Sequence, residues 1–370
     1  MYLNILVIGN GFDIAHELET KYKDFLTACH KDEENRLDCK SNLWYRHFVS
    51  VLDNKPNTWI DLEAEILKVI ENLNTLPALS NNSKILDLCP LKLSFPNKQP
   101  FSFNSIINNV NKMSENQVKE KLFADNYLIE DNSIGISIFI KTAEALVQML
   151  YDQLREFTKS FEKYLKEDVM SQISEFHSKY KLSIYRNVDE NSHKELHVLS
   201  FNYTDTCERY YQHQCNTTCR LNIKSFYVHG KICSNNNCNL VLGTKSFDNK
   251  KNTLLSNHIK SSFNVFKKHN QRHKFNTVEQ YQELLNKLAN DKIKPIFHVV
   301  GHSLDEADKA ILKHLFTIND NAIINIYYFN EKSQEKLINN ITEIIGEENT
   351  MRKVQLIYQH DPKKGILIKR

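Results

Sequence analysis

Five short apolar runs, at Leu3–Ile8, His197–Phe201, Phe226–Val228, Ile296–Val300 and Ala322–Phe329, place the strongest limit on how this chain folds. They are near-continuous in Val, Ile and Leu instead of alternating with polar residues, which is the pattern of strands covered on both faces. Weaker runs of the same kind occur at Leu240–Leu242 and Val354–Tyr358. Helical periodicity follows several of them, so the runs are expected to form one mostly parallel α/β sheet of Rossmann-like type. Ser303-Leu304-Asp305-Glu306 has capping-box spacing ahead of a stripe of Ala307, Ile311, Leu312, His314 and Leu315, and predicts a helix that starts there. Asn330, followed by a periodic segment that stops at Gly346, predicts another.

Between about Thr27 and Glu195 the strand signal gives way to long amphipathic stretches, notably "WIDLEAEILKVIENL" and "ISIFIKTAEALVQMLYDQLREFTKSFEKYLKE". The second reads as one long helix or as two broken near Tyr151. A proline-rich stretch from Pro77 to Pro100 lies between them and reads as loop. The expected organisation is a large helical insertion, residues 27–195, between the first and second strands of a nucleotide-binding domain made of residues 1–26 and 196–370.

Composition narrows the function classes. Lys and Arg (48) barely outnumber Asp and Glu (45), so no global field marks the chain as a general nucleic-acid or membrane binder. No apolar run approaches the roughly 20 residues of a membrane span, and a cytoplasmic location is expected. The eight cysteines are then expected to be mostly reduced.

In an open parallel sheet, ligands bind beyond the carboxyl ends of the strands. Those ends carry a consistent set: Gly9-Asn10-Gly11-Phe12-Asp13, Asn202-Tyr203-Thr204-Asp205, His229-Gly230, Gly243-Thr244 and Gly301-His302-Ser303. Five of the chain's eight glycines sit there. Glycine permits a sharp turn and a close approach of phosphate to the backbone, and it also simply ends strands. The first loop departs from the dinucleotide fingerprint, because Ile14 stands at the third glycine position, and this argues against a conventional dehydrogenase. Asp13 is odd beside a phosphate unless it orients a ribose hydroxyl, a water or neighbouring backbone; it also reads as a helix N-cap.

Taken in order, "IGNGFDIAHELETKYKDF", "WIDLEAEI", "LSFNYTDT", "VHGKI", "LVLGTK" and "GHSLDEADKAILKHLF" resemble the AbiH family of bacterial abortive-infection proteins, over almost the whole chain. That family is in turn similar to the sirtuin-like NAD-binding domains of phage-defence systems. The resemblance implies NAD as ligand or substrate, with Gly9, Asn10, Gly11, Phe12 and Asp13 at its phosphates and adjoining ribose. It implies Asn202 nearest the nicotinamide ribose with Tyr203 and Thr204 beside it, His229 of the His229-Gly230 pair as general base, and Gly301, His302 and Ser303 at the adenosine ribose. Asp13, Asn202 and His229 are the implied catalytic residues. The implied reaction is hydrolysis of NAD to ADP-ribose and nicotinamide. The expected partners are a nucleotide, a phage-derived trigger and further copies of the chain, with nucleic acid less favoured and no membrane.

Three weaker signals remain. Cys215, Cys219, Cys233 and Cys238 have C-x3-C and C-x4-C spacings near a zinc pattern, though free thiols fit as well and no metal is expected. The segment from His258 to Phe275, with Lys267 and Lys268 among its cations, suits phosphate or nucleic acid, or else a solvated face over an apolar stripe. It carries the alternative of a toxin that acts on nucleic acid; a non-catalytic nucleotide sensor is the third reading. In "WIDLEAEI", Trp59 and Glu63 lie one helical turn apart and could lean toward the cleft, while Glu63 otherwise reads as a surface carboxylate.

Overall fold

The computed structural model describes residues 2–54, 61–74, 91–96, 101–103, 110–112, 126–133, 135–173, 180–182, 194–211, 221–233, 238–245, 261–360 and 366–369. The chain divides into two compact units. The first comprises Met1–Lys21, Tyr164–Val241 and Arg272–Arg370; the second comprises Tyr22–Lys163 and Leu242–Gln271.

The first unit is built on six parallel strands: β1 (Tyr2–Ile8), β2 (Lys194–Ser200), β3 (Leu221–Tyr227), β4 (Lys294–Val300), β5 (Ile323–Tyr328) and β6 (Val354–Tyr358). They lie in the order β3-β2-β1-β4-β5-β6, the doubly-wound order whose direction of winding reverses between β1 and β4. Register makes the carboxyl ends flush: Ile8 pairs with Ser200 and with Val300, and Ser200 pairs with Tyr227. The residues after β1, β2, β3 and β4 therefore emerge along one edge.

Leu3, Ile5 and Val7 turn to one face, where they pack with Leu199, Phe226, Phe297 and Val299 under the helices Thr277–Leu288, Lys309–Thr317 and Glu331–Ile345. Leu6 and Ile8 turn to the other face and are equally buried, which accounts for the unbroken apolar runs. The helix Glu331–Ile345 has the expected limits. Asn330 Oδ1 accepts from Ser333 N at 2.8 Å, and the helix stops at Gly346, whose φ is +83°.

Two local expectations are corrected. Leu240–Leu242 does not join the sheet: Val241 N donates to His229 O, and Val241 O accepts from the Tyr203 hydroxyl, so this buried segment is tied to loops. No helix starts at Ser303. Leu304 has φ +56°, a short 3-10 turn spans Glu306–Asp308, and the α-helix begins at Lys309. Asp308 stands at its N-cap without capping it, because its carboxylate is engaged elsewhere.

The second unit has the helices expected from the two amphipathic stretches, Leu62–Asn74 and Ala143–Tyr164, and further helices at Tyr22–Lys31 and Leu43–Asn54. It also contains a four-stranded antiparallel sheet, in the order Val110–Lys112, Leu91–Pro96, Gly135–Ile140, Tyr127–Asp131, in the stretch read as free of strands. "GISIFI" alternates with period two and is a strand; a break at Thr142, whose hydroxyl accepts from Ala145 N, separates it from the following helix. That helix runs unbroken through Tyr151. Cys29 and Cys39 are joined as a disulfide, an exception to the expected reduced thiols; their Cα atoms are 6.4 Å apart. Among the described residues no helix is long and apolar enough to cross a membrane.

Candidate functional site

The first loop meets the β4 exit backbone to backbone. Gly9 N donates to Val300 O, Gly11 N to Gly301 O at 2.8 Å, and Phe12 N back to Gly9 O at 2.8 Å. A Cβ on Gly9 would fall 2.6 Å from the His302 Cα, and one on Gly11 would fall 2.7 Å from the Gly301 Cα. Gly301 has φ +64° and leaves no more room on its own side, since its Cβ would be 2.1 Å from Phe12 N. These three glycines thus let two strand exits interlock at the point where the sheet order reverses; two of the loop's amides bond across to the β4 exit and a third, that of Phe12, closes the loop on itself.

Beside this junction lies a buried carboxyl. Asp13, inside the short helix Asn10–Ala15 and not at its N-cap, is 1% exposed. Its Oδ2 accepts from the Thr204 hydroxyl at 2.6 Å, and the Thr206 hydroxyl stands 3.1 Å behind that of Thr204. Asn202 Nδ2 donates to Gly9 O at 3.1 Å, which orients the amide with Oδ1 turned away from that carbonyl. Among the described residues, Asp13 Oδ1 and Asn202 Oδ1 are buried without a hydrogen-bond partner. Burial raises the Asp13 carboxyl from 3.8 to about 6; Thr204, Thr206 and the Asn202 amide pull it down, and Asp205 adds to the rise. Buried acceptors left unpaired are costly and call for donors. Next to them His16 is held neutral, its pKa lowered to about 4 by burial although Nδ1 lies 2.7 Å from Phe12 O.

A second polar cluster gathers around Asp308. Its Oδ1 lies 2.8 Å from Arg272 Nη2 and 3.1 Å from His229 Nε2, and its Oδ2 lies 4.0 Å from His302 Nε2. Arg272 Nη2 also approaches His229 Nδ1 at 3.4 Å. Leu304 N donates to His302 Nδ1, so that nitrogen is unprotonated. The Phe201 ring packs edge-on against both imidazoles, at 5.5 Å for His229 and 4.3 Å for His302. Phe201 and Asn202 are successive residues at the β2 exit, and their side chains join different clusters. The strand ends therefore present two polar groupings: Asp13, Asn202 and Thr204 in one, and His229, His302, Asp308 and Arg272 in the other.

The remaining expected residues make the following contacts. Asn10 Oδ1 accepts from the Thr20 hydroxyl at 2.6 Å. Phe12 is fully buried against His16 and Tyr211. Tyr203 ties down Val241, and Gly230 turns at φ +83° against Asn239 O. Ser303 is exposed, and its carbonyl accepts from Asn340. Cys215, Cys219 and Trp59 lie outside the described residues, and Cys233 and Cys238 are half-buried. Within the second unit, Lys268 is 4% exposed and pairs with Glu63 at 2.6 Å, while Phe263 and Phe266 are core. Glu63 is thus the partner of a buried cation.

Asp308, Arg272 and Thr206 are the residues that sequence reasoning missed. Arg272 is hidden in a cationic run, and Asp308 in what reads as the second residue of a helix stripe. The available signal was the acidic residue closing "GHSLDEAD", seven positions beyond Gly301.

The family model described as Bacteriophage abortive infection AbiH matches residues 5–329, a span that contains both clusters. No curated protein matches the chain.

Proposed function

The chain belongs to the AbiH family of bacteriophage abortive-infection proteins, and on that premise we propose that it is an anti-phage effector that binds NAD at the strand ends and hydrolyses it to ADP-ribose and nicotinamide. The observation that carries this reading is the pair of buried, unpartnered acceptors, Asp13 Oδ1 and Asn202 Oδ1, at the exits of β1 and β2. Such atoms suit the hydroxyls of a ribose. The β3-β2-β1-β4-β5-β6 order supports it, because nucleotides bind at the reversal point of such sheets.

In this reading the C1′–N1 bond breaks with its electron pair going to nicotinamide, a cation-like centre develops at C1′, and water attacks it. Asn202 positions the ribose. Arg272 Nη2, which can only donate, faces His229 Nδ1, so the ring proton belongs on Nε2, 3.1 Å from Asp308 Oδ1, and Nδ1 is the basic nitrogen. His229 Nδ1 receives the water proton once Arg272, now 3.4 Å away, gives up that contact. Asp308 then stabilises the imidazolium, as a carboxylate behind a catalytic histidine does. Asp308 and Arg272 are positioning residues in this scheme.

A toxin acting on nucleic acid is less well supported. Lys268 and Arg272, two central cations of the basic segment, are buried against Glu63 and Asp308 and are not offered to a phosphate backbone. Purified protein incubated with NAD, with nicotinamide quantified, separates the readings. Release that is lost in His229→Ala and Asn202→Ala supports hydrolysis, saturable binding without product supports a sensor, and cleaved RNA or DNA with constant NAD supports the toxin.

A further inference from the structure

We propose that Asp13 makes the first-loop end of this site a hydroxyl clamp: with Asn202 it selects a vicinal diol, and the Gly9–Phe12 loop does not hold a phosphate. The inference rests on reading the crevice as a ribonucleotide site, not on hydrolysis. It follows from the polarity of the atoms. Above the range where its oxygens carry protons, a phosphate offers acceptors only, so it needs donors from the protein. The loop has few to give. The amides of Gly9, Gly11 and Phe12 are spent on Val300 O, Gly301 O and Gly9 O. The space above Gly9 and Gly11 is filled by the backbone of Gly301 and His302, so these glycines serve the packing of two exits and not the approach of a ligand.

What the loop does present is a surplus of acceptors. Thr206 backs Thr204, and Thr204 donates its one hydroxyl hydrogen to Asp13 Oδ2. The chain of hydroxyls thereby ends on the carboxyl and leaves Oδ1 for an external donor. Asn202 cannot turn its amide over, because Oδ1 would then face Gly9 O. No cation pairs with Asp13 among the described residues, and Asp205 lies near enough to act on it. A buried carboxyl without a cation repels phosphate and welcomes O–H groups, and a cis diol supplies two of them on adjacent carbons.

Calorimetric titration of the full chain with ADP-ribose, with analogues lacking both hydroxyls on one or the other ribose, and with pyrophosphate tests this. The expected result is that one dideoxy analogue binds at least about tenfold more weakly than ADP-ribose, the loss of two buried hydrogen bonds. Pyrophosphate in excess is expected not to displace ADP-ribose. In Asp13→Asn, with an unchanged circular dichroism spectrum, the gap is expected to narrow. Equal binding of all three ADP-ribose forms to the wild-type chain, or displacement by pyrophosphate, overturns the inference, and neither measurement depends on a variant. No binding of ADP-ribose or NAD at all overturns both this inference and the NAD reading. Discrimination without nicotinamide release supports the clamp and overturns hydrolysis.

Discussion

The Thr204 hydroxyl donates to Asp13 Oδ2 at 2.6 Å, joining two residues 191 positions apart across the exits of β1 and β2. Even so, burial dominates and holds the carboxyl near 6 instead of 3.8. The folded state binds this proton more tightly than the unfolded one. The group's contribution to stability is therefore fully present below about pH 3.8 and is lost as pH rises through about 6; the shift corresponds to about 3 kcal/mol. Asp13→Asn, which keeps an oxygen for Thr204, is expected to be more stable than wild type at pH 8. The two should converge by pH 4. Urea unfolding midpoints at both values check this.

His298 behaves with the opposite sign. Its ring sits between the Tyr327 hydroxyl at 3.0 Å and Asn4 Oδ1 at 3.2 Å, and burial lowers its pKa to about 4. Its stabilising share is present above about pH 6.5 and is lost as pH falls through about 4. His298→Gln is expected to flatten the acid limb of the stability curve, measured as the unfolding midpoint from pH 7 down to pH 4.

Gly11→Ala would place a Cβ 2.7 Å from the Gly301 Cα, where only backbone can yield. The expected cost is about 1–3 kcal/mol, with loss of nucleotide binding as the two exits separate. Thermal unfolding with and without ADP-ribose measures both.

Much of the first unit was legible because strands buried on both faces write themselves as apolar runs, as β1 and β4 do. The strands at Leu91–Pro96 and Gly135–Ile140 were not, since one carries a proline and the other abuts a helix whose periodicity masks it. Asn202, His229 and the glycine exits could be found from their place after runs. Their division into two clusters could not, because it depends on which way Phe201 and Asn202 point. Asp308 and Arg272 were invisible for a related reason: a charged residue in a helical stretch reads as solvated until its partner is known. The Gly9 and Gly11 pattern was legible, but its packing against Gly301 needs coordinates.

The Glu63–Lys268 pair holds a cation that is 5% exposed at its side chain, against 21% for the carboxylate. Glu63→Gln removes the carboxylate charge 2.6 Å from that ammonium. The expected loss is about 1–3 kcal/mol, below that of a fully buried pair because water reaches Glu63. Chemical denaturation of Glu63→Gln, Lys268→Met and the double variant is expected to show a smaller loss in the double than the sum of the singles.

Asp308 links Arg272 to His229. Asp308→Asn is expected to lower nicotinamide release at least about tenfold while ADP-ribose affinity changes little, a loss in turnover and not in binding. Steady-state rates measured below the variant's melting temperature, set beside a binding titration, distinguish this from simple destabilisation.

Quantifying nicotinamide released from NAD by the purified chain, and by the chain in phage-infected cells, tests the central claim most directly. The account predicts release by wild type that falls to background in Asn202→Ala and His229→Ala. Absence of release under both conditions, or release unchanged in those variants, contradicts it.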